Sequence, residues 1–239
     1  MGVGSLGLSS AVDETKRVED HLPDISNQAA TKRTCSSFVL KKGWIMLKKL
    51  IDIYEEIKEN VYIIDRGTLE PIIIKFSSEN FYHLIGLHKL NIDMFFPRNM
   101  KSKDKRYKHM KKNTEKYENI IKNQIKGKHT LELRINTFPN IKNLFDDVSL
   151  YNLKQAKITP LYKGDYGLLK LFDNIYCLLG IKMIDYKELY LYTPQTWIAD
   201  KRILIKQTPK YYKSIIIIPK TVFGDNCINI YSTVKQMVT

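Results

Sequence analysis

Cysteine is scarce and poorly spaced for structural duty. Cys35, Cys177 and Cys227 are an odd number, far apart, with no C-x-x-C and no Cys/His pair at zinc spacing. That argues against a disulfide framework and suits a reducing compartment; Cys177, in the apolar run Ile175 to Gly180, is expected to be buried in a core. Long apolar runs are also missing. Ile215 to Pro219 is strand-sized, so no membrane span is expected. The N-terminus has no charged region followed by an apolar one, and Leu6 stands where a myristoylation signal needs Ser or Thr. There is no Walker loop, no G-x-S-x-G and no internal repeat. Gly2, Gly4 and Gly7 approach a dinucleotide fingerprint, but no strand precedes them. No Asp/Glu/His constellation has zinc or two-metal spacing, so the expectation is no metal and no cofactor.

Acidic side chains are in deficit. Lys and Arg total 39 against 25 Asp and Glu, a net charge of +14 over 239 residues, and the excess is local. Between Arg98 and Lys128 twelve Lys/Arg face only Asp104, Glu115 and Glu118, whereas residues 1–37 carry −1. A concentrated basic segment implies a polyanionic partner. A competing origin is compositional. The chain is rich in Ile, Lys, Asn and Tyr throughout, as AT-rich codons favour, and such a run also suits a solvated face.

Composition divides the chain into a Ser/Ala/Thr/Asp-rich leader or disordered segment, 1–37, and one domain, 38–239, with a basic helical insertion around 98–128. Trp44, Leu47, Ile51, Tyr54 and Ile57 recur at helical spacing. Asn60 to Ile64 and Glu70 to Phe76 read as a hairpin across Asp65 to Thr68. Ser77 or Ser78 caps the next helix, on which Phe81, Leu84, Leu87 and His88 share a side. Residues 97–112 read as an exposed loop, and 114–126 as a helix ended by Gly127. Leu131 to Ile135 fits strand or helix; Phe138, Ile141, Leu144, Phe145, Val148, Tyr151 and Leu153 predict a helix. From Lys157 on, short strands are predicted over 158–162, 168–172, 175–179, 188–192, 203–206 and 214–218, parted by turn signals such as Asp173-Asn174 and Pro194. Helices followed by sequential strands make an α+β fold with an antiparallel sheet of about four or more strands.

The run from Phe76 to Leu90 carries the chemistry. It places His83 on a short apolar element behind a strand, with Gly86 three residues on and the basic segment downstream. Histidine titrates near neutral pH and can donate or accept a proton. The competing reading is a satisfied histidine at a helix–sheet contact, and His88 reads as structural. Phe76, Asn80, Phe81, His83, Leu84, Gly86 and Leu87 form the pattern F-x-x-x-N-F-x-H-L-x-G-L. It resembles the phage-associated Barnase–EndoU–Colicin–RelE-like nucleases, in particular their fourth subgroup. The resemblance is sharpest over 71–90, looser to about 218, and absent from 1–40.

The resemblance implies a small α+β nuclease that cleaves RNA without a metal. It also implies a phage or mobile-element toxin or effector in a cytoplasm, its own or a target cell's, with an immunity or antitoxin protein as a partner. In that chemistry the 2′-hydroxyl attacks phosphorus, so a group must take its proton and cations must hold the extra charge. The catalytic candidates are His83 for proton transfer and Arg134 and Lys206 for charge. Arg134 is chosen because a guanidinium grips phosphate bidentately, although a surface salt bridge is its plain alternative. Lys213, Ser214, Tyr211, Arg106, Lys111 and Lys112 are candidates for binding RNA. The other classes still open are a non-catalytic nucleic-acid-binding module and a degenerate nuclease-fold interaction protein; the lack of a second clear catalytic histidine among the predicted strands weighs toward the latter.

Overall fold

The computed structural model describes residues 46–67, 69–154, 158–159, 164–185, 191–205 and 208–222. The readings of residues 1–37, Trp44, Cys35, Cys227 and Lys206 fall outside the described residues.

Helix α1 (Leu47–Lys58) turns Leu47, Leu50, Ile51, Tyr54 and Ile57 inward at the predicted three-and-four spacing. Strands β1 (Asn60–Arg66) and β2 (Leu69–Lys75) form the expected hairpin, in register from Val61–Lys75 to Ile64–Ile72. Their apolar runs do not alternate because both faces are covered. Tyr62, Ile64, Ile72 and Ile74 join the main core, while Val61, Ile63 and Ile73 meet Leu191 and Ile218 on the other side.

Four helices follow: α2 (Ser78–Leu84), α3 (Lys103–Lys112), α4 (Thr114–Ile125) and α5 (His129–Thr137). The remaining strands are β3 (Ser149–Asn152), β4 (Ile158–Thr159), β5 (Tyr166–Phe172), β6 (Ile175–Asp185), β7 (Leu191–Asp200), β8 (Leu204–Ile205) and β9 (Ser214–Pro219). Of the nine strands among the described residues, seven make one sheet in the order β3-β5-β6-β7-β2-β1-β9, and β4 pairs with β8 apart from it. Asp173 and Asn174 both take positive φ in a two-residue hairpin between β5 and β6, as their residue types favour. The fold is α+β, as predicted, but the sheet is mixed. β2 runs parallel to β7 through Ile73–Leu191 and Ile74–Tyr192. Parallel neighbours need a long crossover, and the helices α2 to α5 lie within it.

Three local expectations are corrected. The loop expected over 97–112 is helical from Lys103, because Ser102 Oγ accepts from Lys105 N and Tyr107 and Met110, three apart, are buried. The helix expected from Phe138 to Leu153 is a 3-10 segment to Asp146 followed by β3, so Phe138, Ile141, Leu144 and Phe145 enter the core from a tighter turn. Pro194 is not a turn. It lies inside β7 beside an irregularity where Gly180 pairs with Thr196 and Ile181 with Pro194, and a strand tolerates proline at such a bulge. Leu131 to Ile135 settles as helix, within α5.

Aromatic rings tie the helices to the sheet. Phe81 of α2 lies 5.0 Å from Tyr54 of α1 and 5.1 Å from Tyr107 of α3, and Trp197 of β7 meets Phe138 edge-on at 6.1 Å. Each fully buried ring contributes roughly 2–3 kcal/mol, which fixes α2 and α3 against each other and against the sheet.

Candidate active site

The site begins at the first turn of α2. Asn80 Oδ1 accepts from the Ser77 backbone N at 2.8 Å and from Ser77 Oγ at 2.9 Å, closing the helix start. The other end of the same amide reaches the sheet: Nδ2 donates to Thr193 Oγ1 at 2.9 Å and to the Pro194 carbonyl at 3.0 Å. Asn80 is thus a buried clamp between α2 and β7, and it sets the register of the helix that carries His83.

One turn later His83 is half-buried at the end of α2. The helix stops at Leu84, and Gly86 takes a left-handed φ of 80°. The chain turns there into a 3-10 turn, Leu87–Lys89, which swings the His88 ring to 4.9 Å from the His83 ring. Without a side chain, Gly86 leaves room for α5. A Cβ on it would lie 3.1 Å from Nη1 of Arg134, so the guanidinium rests on the turn just beyond His83. From the far side α3 delivers Lys103, whose Nζ stands 2.7 Å from His83 Nε2.

The electrostatics are one-sided. Burial and the Lys103 ammonium hold the His83 imidazole below its ordinary value. Burial, His83, Arg134 and Lys89 push His88 down to about 4, against a hydrogen bond with the Tyr82 backbone that favours its charge. Burial and Arg134 lower Lys89 as well. Two neutral imidazoles therefore sit among three cations, a setting that favours an anion carrying acceptor oxygens.

Of the candidates read from sequence, His83 and Arg134 are brought together, with Arg134 only 8 % exposed. Lys213, Ser214 and Tyr211 lie elsewhere. Ser214 pairs with Asp65 near the hairpin turn, whereas the chain enters α2 from the other end of β2, roughly 20 Å of strand away. Lys213 and Tyr211 are exposed beside Ser214. Arg106 is on α3, one turn from Lys103, but its guanidinium is held by Asp93 at 3.0 Å and by the Met100 carbonyl at 2.9 Å. Lys111 pairs with Glu55 at 2.9 Å, and Lys112 is exposed at the end of α3. Lys206 lies outside the described residues.

Sequence reasoning missed Lys103, counted in the basic run without a role, and His88, taken as structural. The five-residue separation of the two histidines was the available signal for His88. Among the described residues no three His, Cys, Asp or Glu side chains gather where they could hold a metal ion, and no helix is long and apolar enough to cross a membrane. The model of one known family, described as phage-Barnase-EndoU-ColicinE5/D-RelE like nuclease4, matches residues 46–234. No curated protein and no solved structure matches the chain.

Proposed function

The chain belongs to the phage-Barnase-EndoU-ColicinE5/D-RelE like nuclease4 family, and on that premise we propose that it is a metal-independent endoribonuclease with His83 as its base. The observation that carries this reading is that Lys103 meets His83 while Arg134 packs on Gly86, three residues further along the same turn. A phosphodiester placed there meets a neutral imidazole for the 2′-hydroxyl proton and fixed cations for the charge that grows on phosphorus. The P–O2′ bond forms as His83 takes the proton, the P–O5′ bond breaks, and the leaving 5′-oxygen takes a proton from water, whose hydroxide takes back the proton held on His83. The products are a 2′,3′-cyclic phosphate and a 5′-hydroxyl. Lys103 and Arg134 offer the positive charge that a metal would otherwise supply.

Exposed lysines on α3 and α4, among them Lys103, Lys105, Lys112 and Lys116, suit a long polyanion, and the family bears the name of phage nucleases. On this reading the protein is a toxin or effector acting on RNA in a cytoplasm, restrained by an immunity or antitoxin protein. The test is incubation with total RNA and with tRNA in excess EDTA, beside His83→Ala. Discrete products in EDTA that disappear in the variant are expected. Intact RNA that is merely retarded on a gel, with the retardation lost in salt, would instead indicate the non-catalytic binding module.

A further inference from the structure

If His83 is the base, the atom that matters is its Nε2, and in the free protein that atom is occupied. An ammonium has protons to give and no lone pair, so Lys103 donates and Nε2 accepts across 2.7 Å. Neutral His83 then carries its own proton on Nδ1, and its only free-base nitrogen is covered. We propose that Lys103 is a phosphate-responsive positioning residue, which covers His83 Nε2 in the free protein and turns onto a non-bridging oxygen of the bound phosphodiester, uncovering the base only when substrate is present.

The anchoring of α3 supports this. Tyr107 donates to Glu55 Oε1 at 2.6 Å and Lys111 to Glu55 Oε2 at 2.9 Å, while Tyr107 stacks edge-on with Phe81 of α2. The backbone of the helix is therefore fixed beside His83, but the Lys103 side chain is exposed and long enough to swing. The surroundings favour release toward an anion. His88 and Lys89 face the same turn, Arg134 approaches from α5, and Asp104 next to Lys103 is engaged by Lys108 at 2.7 Å. Glu79, one turn before His83 on α2, is exposed. A phosphate oxygen is the stronger acceptor, since it adds the attraction of an opposite charge that a neutral ring does not offer the ammonium.

The test follows the His83 imidazole by NMR in wild type, Lys103→Met and Lys103→Arg, alone and with a 2′-deoxy dinucleotide monophosphate that cannot be cleaved. In wild type the ring is expected to titrate below its ordinary value with its proton on Nδ1, and the dinucleotide should raise that value. In Lys103→Met the free value rises and the dinucleotide adds less, while Lys103→Arg stays near wild type. RNA cleavage by Lys103→Met is expected to fall roughly tenfold to a hundredfold with its acid limb moved to higher pH, and unchanged melting excludes misfolding. A His83 titration that is identical in wild type and Lys103→Met overturns the proposal. If no RNA is cleaved but the imidazole still responds to Lys103 and to the dinucleotide, the enzyme reading fails and the Lys103 switch stands as part of a phosphate-binding site.

Discussion

Arg134 and Gly86 lie so close that a methyl group on the glycine would crowd the arginine: a Cβ on Gly86 would fall 3.1 Å from both Cδ and Nη1 of Arg134 and 2.5 Å from Cδ1 of Leu131. The same glycine holds a left-handed φ of 80°, so it answers two demands at once. Gly86→Ala is expected to lose about 2–3 kcal/mol, part from backbone strain and part from overpacking. It should also push Arg134 off the turn and lower RNA cleavage by roughly a hundredfold, the cost of a misplaced charge. Urea denaturation and initial rates in EDTA measure the two effects. Wild-type stability in the variant would show that the turn relaxes freely.

Asn80 makes a separate prediction because its amide serves both α2 and β7. Asn80→Ala leaves the Ser77 N–H, the Thr193 hydroxyl and the Pro194 carbonyl without this buried partner. A loss of about 2–3 kcal/mol is expected, as for other buried groups left unsatisfied. Hydrogen exchange should then rise in both α2 and the middle of β7. Faster exchange in α2 alone would mean that Asn80 only caps the helix.

His83 was legible because its neighbours in the pattern are its neighbours in space, all within one helix and its following turn. Gly86 was legible for the same reason. Lys103 was not, since its contact with His83 spans twenty residues and two helices and depends on how Phe81 and Tyr107 pack. Helix α3 was hidden because only Tyr107 and Met110 mark its buried side among eight polar residues. Pro194 and β3 show the limit of local rules. A proline was accommodated by a bulge and a side-chain amide, and Tyr151 followed strand pairing with Gly167 where helical spacing had been expected. Lys213, Ser214 and Tyr211 were chosen for chemistry on a strand, but strand order placed that strand on the sheet edge beyond β1.

Glu55 joins α1 to α3 and so bears indirectly on the site. Burial alone would push its carboxyl up, but hydrogen bonds from Lys58, Tyr107 and Lys111 hold it at about 2 against an ordinary 4.5. A depressed carboxyl contributes stability that is complete above 4.5 and is lost as pH falls toward 2. Solvent screening limits that contribution to about 1–2 kcal/mol. Glu55→Gln should therefore be less stable than wild type at pH 7, with the gap closing on acidification. Urea midpoints at pH 7 and pH 2.5 test this, and a constant gap would assign the loss to packing.

His88 is depressed as well, over a different range and because its charged form is disfavoured. The unfolded chain binds its proton near the ordinary 6.5, while the folded chain binds it only near 4. Between those values the unfolded state holds more protons, so stability falls as pH drops from 6.5 to 4 and this loss is complete below 4. The ring is partly exposed, so screening reduces the effect to about 1 kcal/mol. His88→Gln removes the titration without adding charge, and its stability should decline less than wild type across that window. A bound phosphate should act the other way, since an anion beside the ring favours the imidazolium and raises its titration. Imidazole NMR with and without inorganic phosphate tests both statements together. A His88 ring that titrates at its ordinary value and ignores phosphate would remove it from the cationic turn and leave His83 as the sole imidazole of the site.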